Sequence, residues 1–130
     1  MANVLIVDDN ADTVALSVQL LESAGHRVQT GCNGQEGLKC LSEGGLPDCV
    51  LLDVEMPVLD GPEMAHEMLL HDAGEEDIPI LLVSAREDLP QLANRMGTPY
   101  FLAKASANYG RTLLAMVELA VRERRAPLTA

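Results

Sequence analysis

Five polar side chains in this sequence could do chemistry together, and each stands at or near the end of an apolar run. Asp8 and Asp9 follow Val4-Leu5-Ile6-Val7, and Asp53 follows Cys49-Val50-Leu51-Leu52. Ser84 follows Ile80-Leu81-Leu82-Val83, and Lys104 comes shortly after Tyr100-Phe101-Leu102. If these runs are strands of one parallel sheet, the five groups project at the same edge. Three carboxylates meeting there repel one another, and burying like charges is costly unless something neutralises them. A hard divalent cation does so, and an oxygen-only donor set favours Mg²⁺ with some of its waters kept. Lys104 supplies further positive charge. The plainer alternative is that Asp8, Asp9 and Asn10 only cap the helix that follows, as acidic residues at helix starts usually do. Asp53 would then be a strand-end residue satisfied by loop amides.

The elements that must position these groups are legible as alternating patterns. Strands are expected over 4–7, 49–52, 80–83 and 100–102, with a weaker one over 27–30 after a turn at Gly25. Asp9, Asn10 and Asp12 offer N-caps to a first helix in which Val14, Leu16, Val18, Leu20 and Leu21 can share a buried face, and Gly25 sits where it should stop. Further helices are expected over 34–41, 62–70, 90–95 and about 108–125, the last with Leu113, Leu114, Val117 and Val121 at helical spacing. Strand then helix, repeated five times, implies a parallel sheet covered on both faces, and continuous apolar strands fit that burial. In such a sheet ligands bind at the carboxyl edge of the strands. The expectation is one α/β domain over 1–125 followed by a short tail, 126–130.

Composition narrows the function classes. A chain of 130 residues with 48% hydrophobic residues can bury a full core, but aromatics make up only 2%, so that core must be aliphatic. No run approaches the roughly 20 apolar residues of a membrane helix. Met1-Ala2-Asn3 leads into the first strand without a basic leader, so a cytosolic, cytoplasmic location is expected. The formal charge of −11 disfavours nucleic acid as a partner, because a phosphate backbone needs a concentrated positive face. Cys32, Cys40 and Cys49 form no CxxC pair and are expected to be reduced thiols in or near the core.

The motifs themselves resemble a known family. Val4-Leu-Ile-Val-Asp8-Asp9-Asn10 is similar to the opening of receiver domains of two-component response regulators. The segment Val50-Leu-Leu-Asp53-Val-Glu-Met56-Pro57-Val-Leu-Asp60-Gly61 resembles their phosphorylation-site segment. Ser84-Ala85 resembles the Thr/Ser-Ala pair after strand four, and Phe101-Leu-Ala-Lys104 the aromatic-to-lysine segment around strand five. The set spans nearly the whole chain in the expected order. It implies a flavodoxin-like (βα)5 fold, doubly wound, with a five-stranded parallel sheet of order 2-1-3-4-5. It also implies that Asp53 takes a phosphoryl group from the phosphohistidine of a sensor histidine kinase or phosphotransfer protein. Asp9 would ligate Mg²⁺ directly, Asp8 would hold metal-bound water, and the main-chain carbonyl of Glu55 would complete the protein ligands beside Asp53. Ser84 and Lys104 would contact phosphoryl oxygens. Phe101 would turn inward as Ser84 is drawn toward the phosphate, reshaping the face of the fourth helix, fifth strand and fifth helix for a partner. An ordinary core aromatic with one rotamer is the alternative for Phe101, and Tyr100 should face the opposite side of the sheet. Glu55 and Arg86 stand where family members tune acyl-phosphate lifetime, or are plain polar surface. Gly61 and Met56-Pro57 are expected to support the loop without a chemical role.

Three departures from the family pattern stand out. The lysine is usually followed by proline through a cis bond, whereas Lys104 precedes Ala105. A non-proline cis bond costs about 3–4 kcal/mol, so a trans 104–105 peptide is expected. The interval from Ser84 to Gly97 is short, so the fourth helix should be short or loose. Thr98-Pro99 replaces a polar turn before strand five.

Read this way, the chain is a signalling phosphoacceptor whose output is an unknown partner protein or a C-terminal effector beyond the sequence; Arg122, Arg124 and Arg125 suit a helix C-terminus and do not decide between these. A degenerate receiver acting as a phosphorylation-independent scaffold is the second reading. A phosphatase working through an aspartyl intermediate is the third, poorly served by Glu55 as its second acid.

Overall fold

The computed structural model describes residues 2–32, 36–37, 39–40, 47–53, 78–85, 87–96, 98–104 and 107–125. The helix expected over 62–70 lies outside these residues; of the one over 34–41, residues 36–37 and 39–40 are described and are helical; Glu55, Arg86, the 104–105 peptide and the tail 126–130 lie outside. The elements run β1 (Asn3–Val7), α1 (Ala11–Ser23), β2 (Arg27–Gly31), β3 (Cys49–Asp53), β4 (Ile80–Ser84), α2 (Leu89–Met96), β5 (Tyr100–Ala103) and α3 (Tyr109–Arg125). The strands form one five-stranded sheet of order β2-β1-β3-β4-β5, every neighbouring pair parallel, as the alternating pattern implies.

Alternation of side chains across the strands divides the core in two. Val4, Ile6, Leu51, Leu81, Val83 and Leu102 point toward α1 and α3, where Leu21, Leu113 and Val117 are fully enclosed. Leu5, Val7, Val50, Leu52 and Leu82 point the other way, toward Leu89, Leu92 and Ala93 of α2. The central strands are buried on both faces, which is why their sequences are continuous apolar runs. Tyr100 belongs to the first layer and half-buried Phe101 packs against the second, on opposite sides of the sheet.

α1 starts at Asn10, whose side chain accepts the Thr13 N–H at 3.0 Å in an extended cap conformation. It stops where Gly25 takes φ 92°, a left-handed turn open to glycine at little steric cost. The Gly25 N–H donates to the Glu22 carbonyl and the His26 N–H to the Leu21 carbonyl. One expectation for this helix needs correction. Leu16 is 48% exposed, while Ser17 is buried. Val14, Ser17, Val18 and Leu21 follow the i, i+3, i+4, i+7 stripe that faces the sheet, and Leu16 lies off it.

α2 is short, 8 residues, but Leu89, Leu92 and Ala93 are buried, so it is seated firmly and is not loose. Thr98 builds the turn into β5, donating its hydroxyl to the Ile80 carbonyl and accepting the Tyr100 N–H. The cysteines are free thiols as expected, with Cys49 buried and Cys40 half-buried. Cys32 is exposed, against expectation, because it follows edge strand β2. Its thiol donates to Glu36 at 2.6 Å, which raises the thiol pKa and makes it a poorer thiolate former.

Candidate functional site

Parallel pairing carries the five polar residues to one edge. Asp53 and Ser84 are themselves the last residues of β3 and β4, one position further into the ladder than the apolar runs suggest. Their backbones are held there by the pairs Asp53↔Val83 and Ser84↔Ala103. Asp8 follows β1 and is tied down by its N–H, which donates to the Gly31 carbonyl at 3.1 Å. Lys104 follows β5, and its N–H donates to the Ser84 carbonyl at 2.9 Å. Asp8, Asp53 and Ser84 are all buried, at 4%, 6% and 3% exposure, so carboxylates are enclosed where a charge needs a partner.

That partner is Lys104. Its ammonium lies 3.1 Å from Asp8 Oδ2 and 3.3 Å from Asp53 Oδ2. Burial alone would lower the lysine pKa, but the hydrogen bond to Asp8 and the charge of Asp53 outweigh it and hold the group above its ordinary value. The ammonium meets two carboxylates, and a third, Asp9, lies close to both of them. Asp8, Asp9 and Asp53 each offer an oxygen within 4.8 Å of the others, with Asp9 exposed and the other two buried. An all-oxygen set of net negative charge, open on the Asp9 side, fits a hard divalent cation such as Mg²⁺. Capping of α1 is performed by Asn10, while Asp8 also accepts the Asn10 N–H at 2.9 Å. Capping therefore accounts for Asn10 and for one oxygen of Asp8.

Asp8, Asp9, Asp53 and Lys104 thus come together at this edge, where Ser84 ends β4, while Phe101 lies on β5, three positions before Lys104, packed against the second core layer. Glu55 and Arg86 lie outside the described residues. Three polar residues of the site escaped sequence reasoning. A small cleft bordered by Asp8 and Asp53 is also lined by Thr13, Ser17 and Tyr109. There the buried Ser17 hydroxyl and the Tyr109 hydroxyl share a hydrogen bond of 3.0 Å. Burial pushes the Tyr109 phenol pKa up. The one available signal was a serine within the apolar stripe of α1.

The fold and this edge define a doubly wound parallel α/β domain with an acidic, lysine-bridged site suited to a divalent cation. A family model for the response regulator receiver domain matches residues 4–117, and the chain belongs to that family. It is 42% identical over 84 residues to the transcriptional regulatory protein AfsQ1 of Streptomyces coelicolor, covering 65% of this chain and 35% of that protein. It is 37% identical over 87 residues to the protein PilH of Pseudomonas aeruginosa, covering 67% of this chain and 70% of that one. Among solved structures it is similar to the chemotaxis protein CheY4 of Vibrio cholerae, with a TM-score of 0.80 and 27% identity over 92% of this chain and 98% of that one. The chain spans about a third of the length of the first curated relatives it matches (35% for AfsQ1). It is therefore the receiver domain of a two-component response regulator, a signalling protein. None of its described helices is long and apolar enough to cross a membrane.

Proposed function

We propose that the domain accepts a phosphoryl group on Asp53 from the phosphohistidine of a sensor histidine kinase or phosphotransfer protein, using Mg²⁺. The observation that carries this reading is the meeting of Asp8, Asp9 and Asp53, with the Lys104 ammonium on Asp8 and Asp53. Asp8, Asp9 and Asp53, with the main-chain carbonyl of Glu55, would hold the ion. When bound, Mg²⁺ offsets charge on the phosphoryl oxygens. In the transfer, an Asp53 carboxylate oxygen forms a bond to phosphorus while the phosphorus–nitrogen bond to the donor imidazole breaks, and the departing nitrogen takes a proton from solvent. Lys104 already touches Asp53 and is placed to meet an incoming phosphoryl oxygen. Ser84, buried one strand away, offers a hydroxyl to another.

The consequence is a population shift. A dianionic aspartyl phosphate attracts Ser84 and Lys104 and favours a packing in which half-buried Phe101 turns further in. The surface made by α2, β5 and α3 then differs between the two states and is read by an output protein or an effector domain. Glu55 and Arg86 would set how readily water reaches the acyl phosphate. The scaffold reading, motivated by Ala105 and the short fourth helix, is disfavoured because Lys104 reaches both buried carboxylates without the usual proline.

Beryllofluoride, which mimics a phosphoryl group on a carboxylate, tests the site. With Mg²⁺ present it should give bound fluorine resonances and shift the amides of Ser84, Phe101 and Lys104. A protein whose spectra do not respond to beryllofluoride and Mg²⁺ together would contradict the proposal.

A further inference from the structure

Besides β3 with Asp53, the acidic edge is built from two segments that have to be held relative to one another. One is the β1–α1 junction with Asp8 and Asp9, and the other is the β5–α3 connection with Lys104. On the sheet side, Lys104 is anchored by its N–H to the Ser84 carbonyl. On the helix side, α3 begins at Tyr109, five positions later (109 against 104), and its hydroxyl bonds Ser17 of α1 at 3.0 Å in a buried setting. A second, independent contact lies beside it. A Cβ at Gly110 would stand 3.2 Å from Leu20 Cδ2, so α1 and α3 touch closely at the very start of α3. The first turn of α3 closes immediately, with the Thr112 N–H donating to the Asn108 carbonyl at 2.9 Å. The Ser17–Tyr109 bond also borders the cleft that Asp8 and Asp53 line.

We infer that Tyr109 is a positioning residue: through its buried hydrogen bond to Ser17 it fixes the β5–α3 connection so that the Lys104 ammonium stays on Asp8 and Asp53. This rests on the proposed phosphoacceptor function of Asp53 for its kinetic consequence, but not for the contact itself. The Ser84 carbonyl holds Lys104 on the strand side, and by this inference the α1–α3 clamp holds the far end of the connection. A purely apolar contact at 17 and 109 would fill space, whereas a hydroxyl pair in a buried setting has a direction, because each group needs the other. Displacing a charge-stabilising group by about 1 Å can cost about a hundred-fold in rate.

Tyr109→Phe and Ser17→Ala each delete the bond and keep most of the packing. Each variant, and the double variant, is incubated with phosphoramidate and Mg²⁺ while intact mass reports the rate of phosphoryl uptake. In parallel, without donor and at one pH, NMR follows the Lys104 backbone amide and ammonium signals, and thermal melts report stability. The expected result is a fall of about ten-fold in uptake for either single variant, no further fall in the double variant, and displaced or broadened Lys104 signals. Val121→Ala, which loosens the far end of α3, should keep the wild-type rate and Lys104 signals despite a lower melting temperature. Single variants with wild-type uptake and unchanged Lys104 signals, or losses that merely track melting temperature as in Val121→Ala, would overturn the inference. If wild type itself takes up no phosphoryl group, the phosphoacceptor reading fails, and the donor-free Lys104 signals still decide the positioning role.

Discussion

Lys104 is the charge on which the unliganded site depends, since its ammonium touches the buried carboxylates of both Asp8 and Asp53. Removing one partner of an enclosed ion pair leaves the others uncompensated, which costs more than the pair itself contributes. Lys104→Met should therefore destabilise the domain in EDTA by about 1–3 kcal/mol in urea unfolding, and added Mg²⁺ should restore part of the loss. A variant as stable as wild type in EDTA would show that the carboxylates are relieved in another way. The residues at this scale were legible in the sequence because a strand end is a local signal: an apolar run followed by a polar group. The partnership of Ser17 with Tyr109 was not, because its members are 92 positions apart and neither residue type announces the other. Leu16 misled for the converse reason. Its type is apolar, but its position falls off the stripe facing the sheet, and it is 48% exposed.

Each element places its functional residue by how it ends or begins. β3 and β4 run one residue further than their apolar sequences, because ladder pairing with Val83 and Ala103 continues through Asp53 and Ser84. α1 begins directly after Asp8-Asp9 through the Asn10 cap, so the helix start and the acidic cluster share one turn of chain. Asn10→Ala should cost about 1 kcal/mol of stability by urea unfolding. Gly25→Ala should cost about 1–2 kcal/mol, since φ 92° is strained for a residue with a Cβ. Near-neutral results at either position would mean that packing alone sets the bounds of α1. The strand order, in contrast, is not written in any single element. It followed from the resemblance to receiver domains, and from the general preference of repeated strand–helix units for parallel sheets.

Across the whole molecule, stability couples to both metal and pH. A ligand that binds only the folded state stabilises it, by about 2.7 kcal/mol at a hundred times its Kd, so the melting temperature should climb with Mg²⁺ in wild type and much less in Asp9→Asn. His26 supplies one part of the pH dependence. Its Nδ1 accepts the Ala2 N–H at 3.1 Å, so the neutral ring carries its proton on Nε2, which is buried without a hydrogen-bond partner among the described residues. Burial, and then the positive amino terminus, lower its pKa below 6.5, with Glu118 acting the other way. Between that lowered value and 6.5 the unfolded chain binds more protons than the folded one. The His26 contribution is thus fully present above pH 6.5 and declines as pH falls through the folded value. His26→Gln should flatten this part of the stability profile, and an unaltered slope between pH 5 and 7 would assign it to other groups (about the range in which histidines titrate).

The proposed function stands or falls with Asp53 as the phosphoacceptor and with the need of uptake for the cation. Intact-mass analysis after incubation with a small phosphodonor, with Mg²⁺ or with EDTA, compares wild type with Asp53→Asn. The expected result is the gain of one phosphoryl group in wild type with Mg²⁺, little or none in EDTA, and none in Asp53→Asn. Equal uptake by Asp53→Asn, or no uptake by wild type under any donor and metal condition, would contradict it.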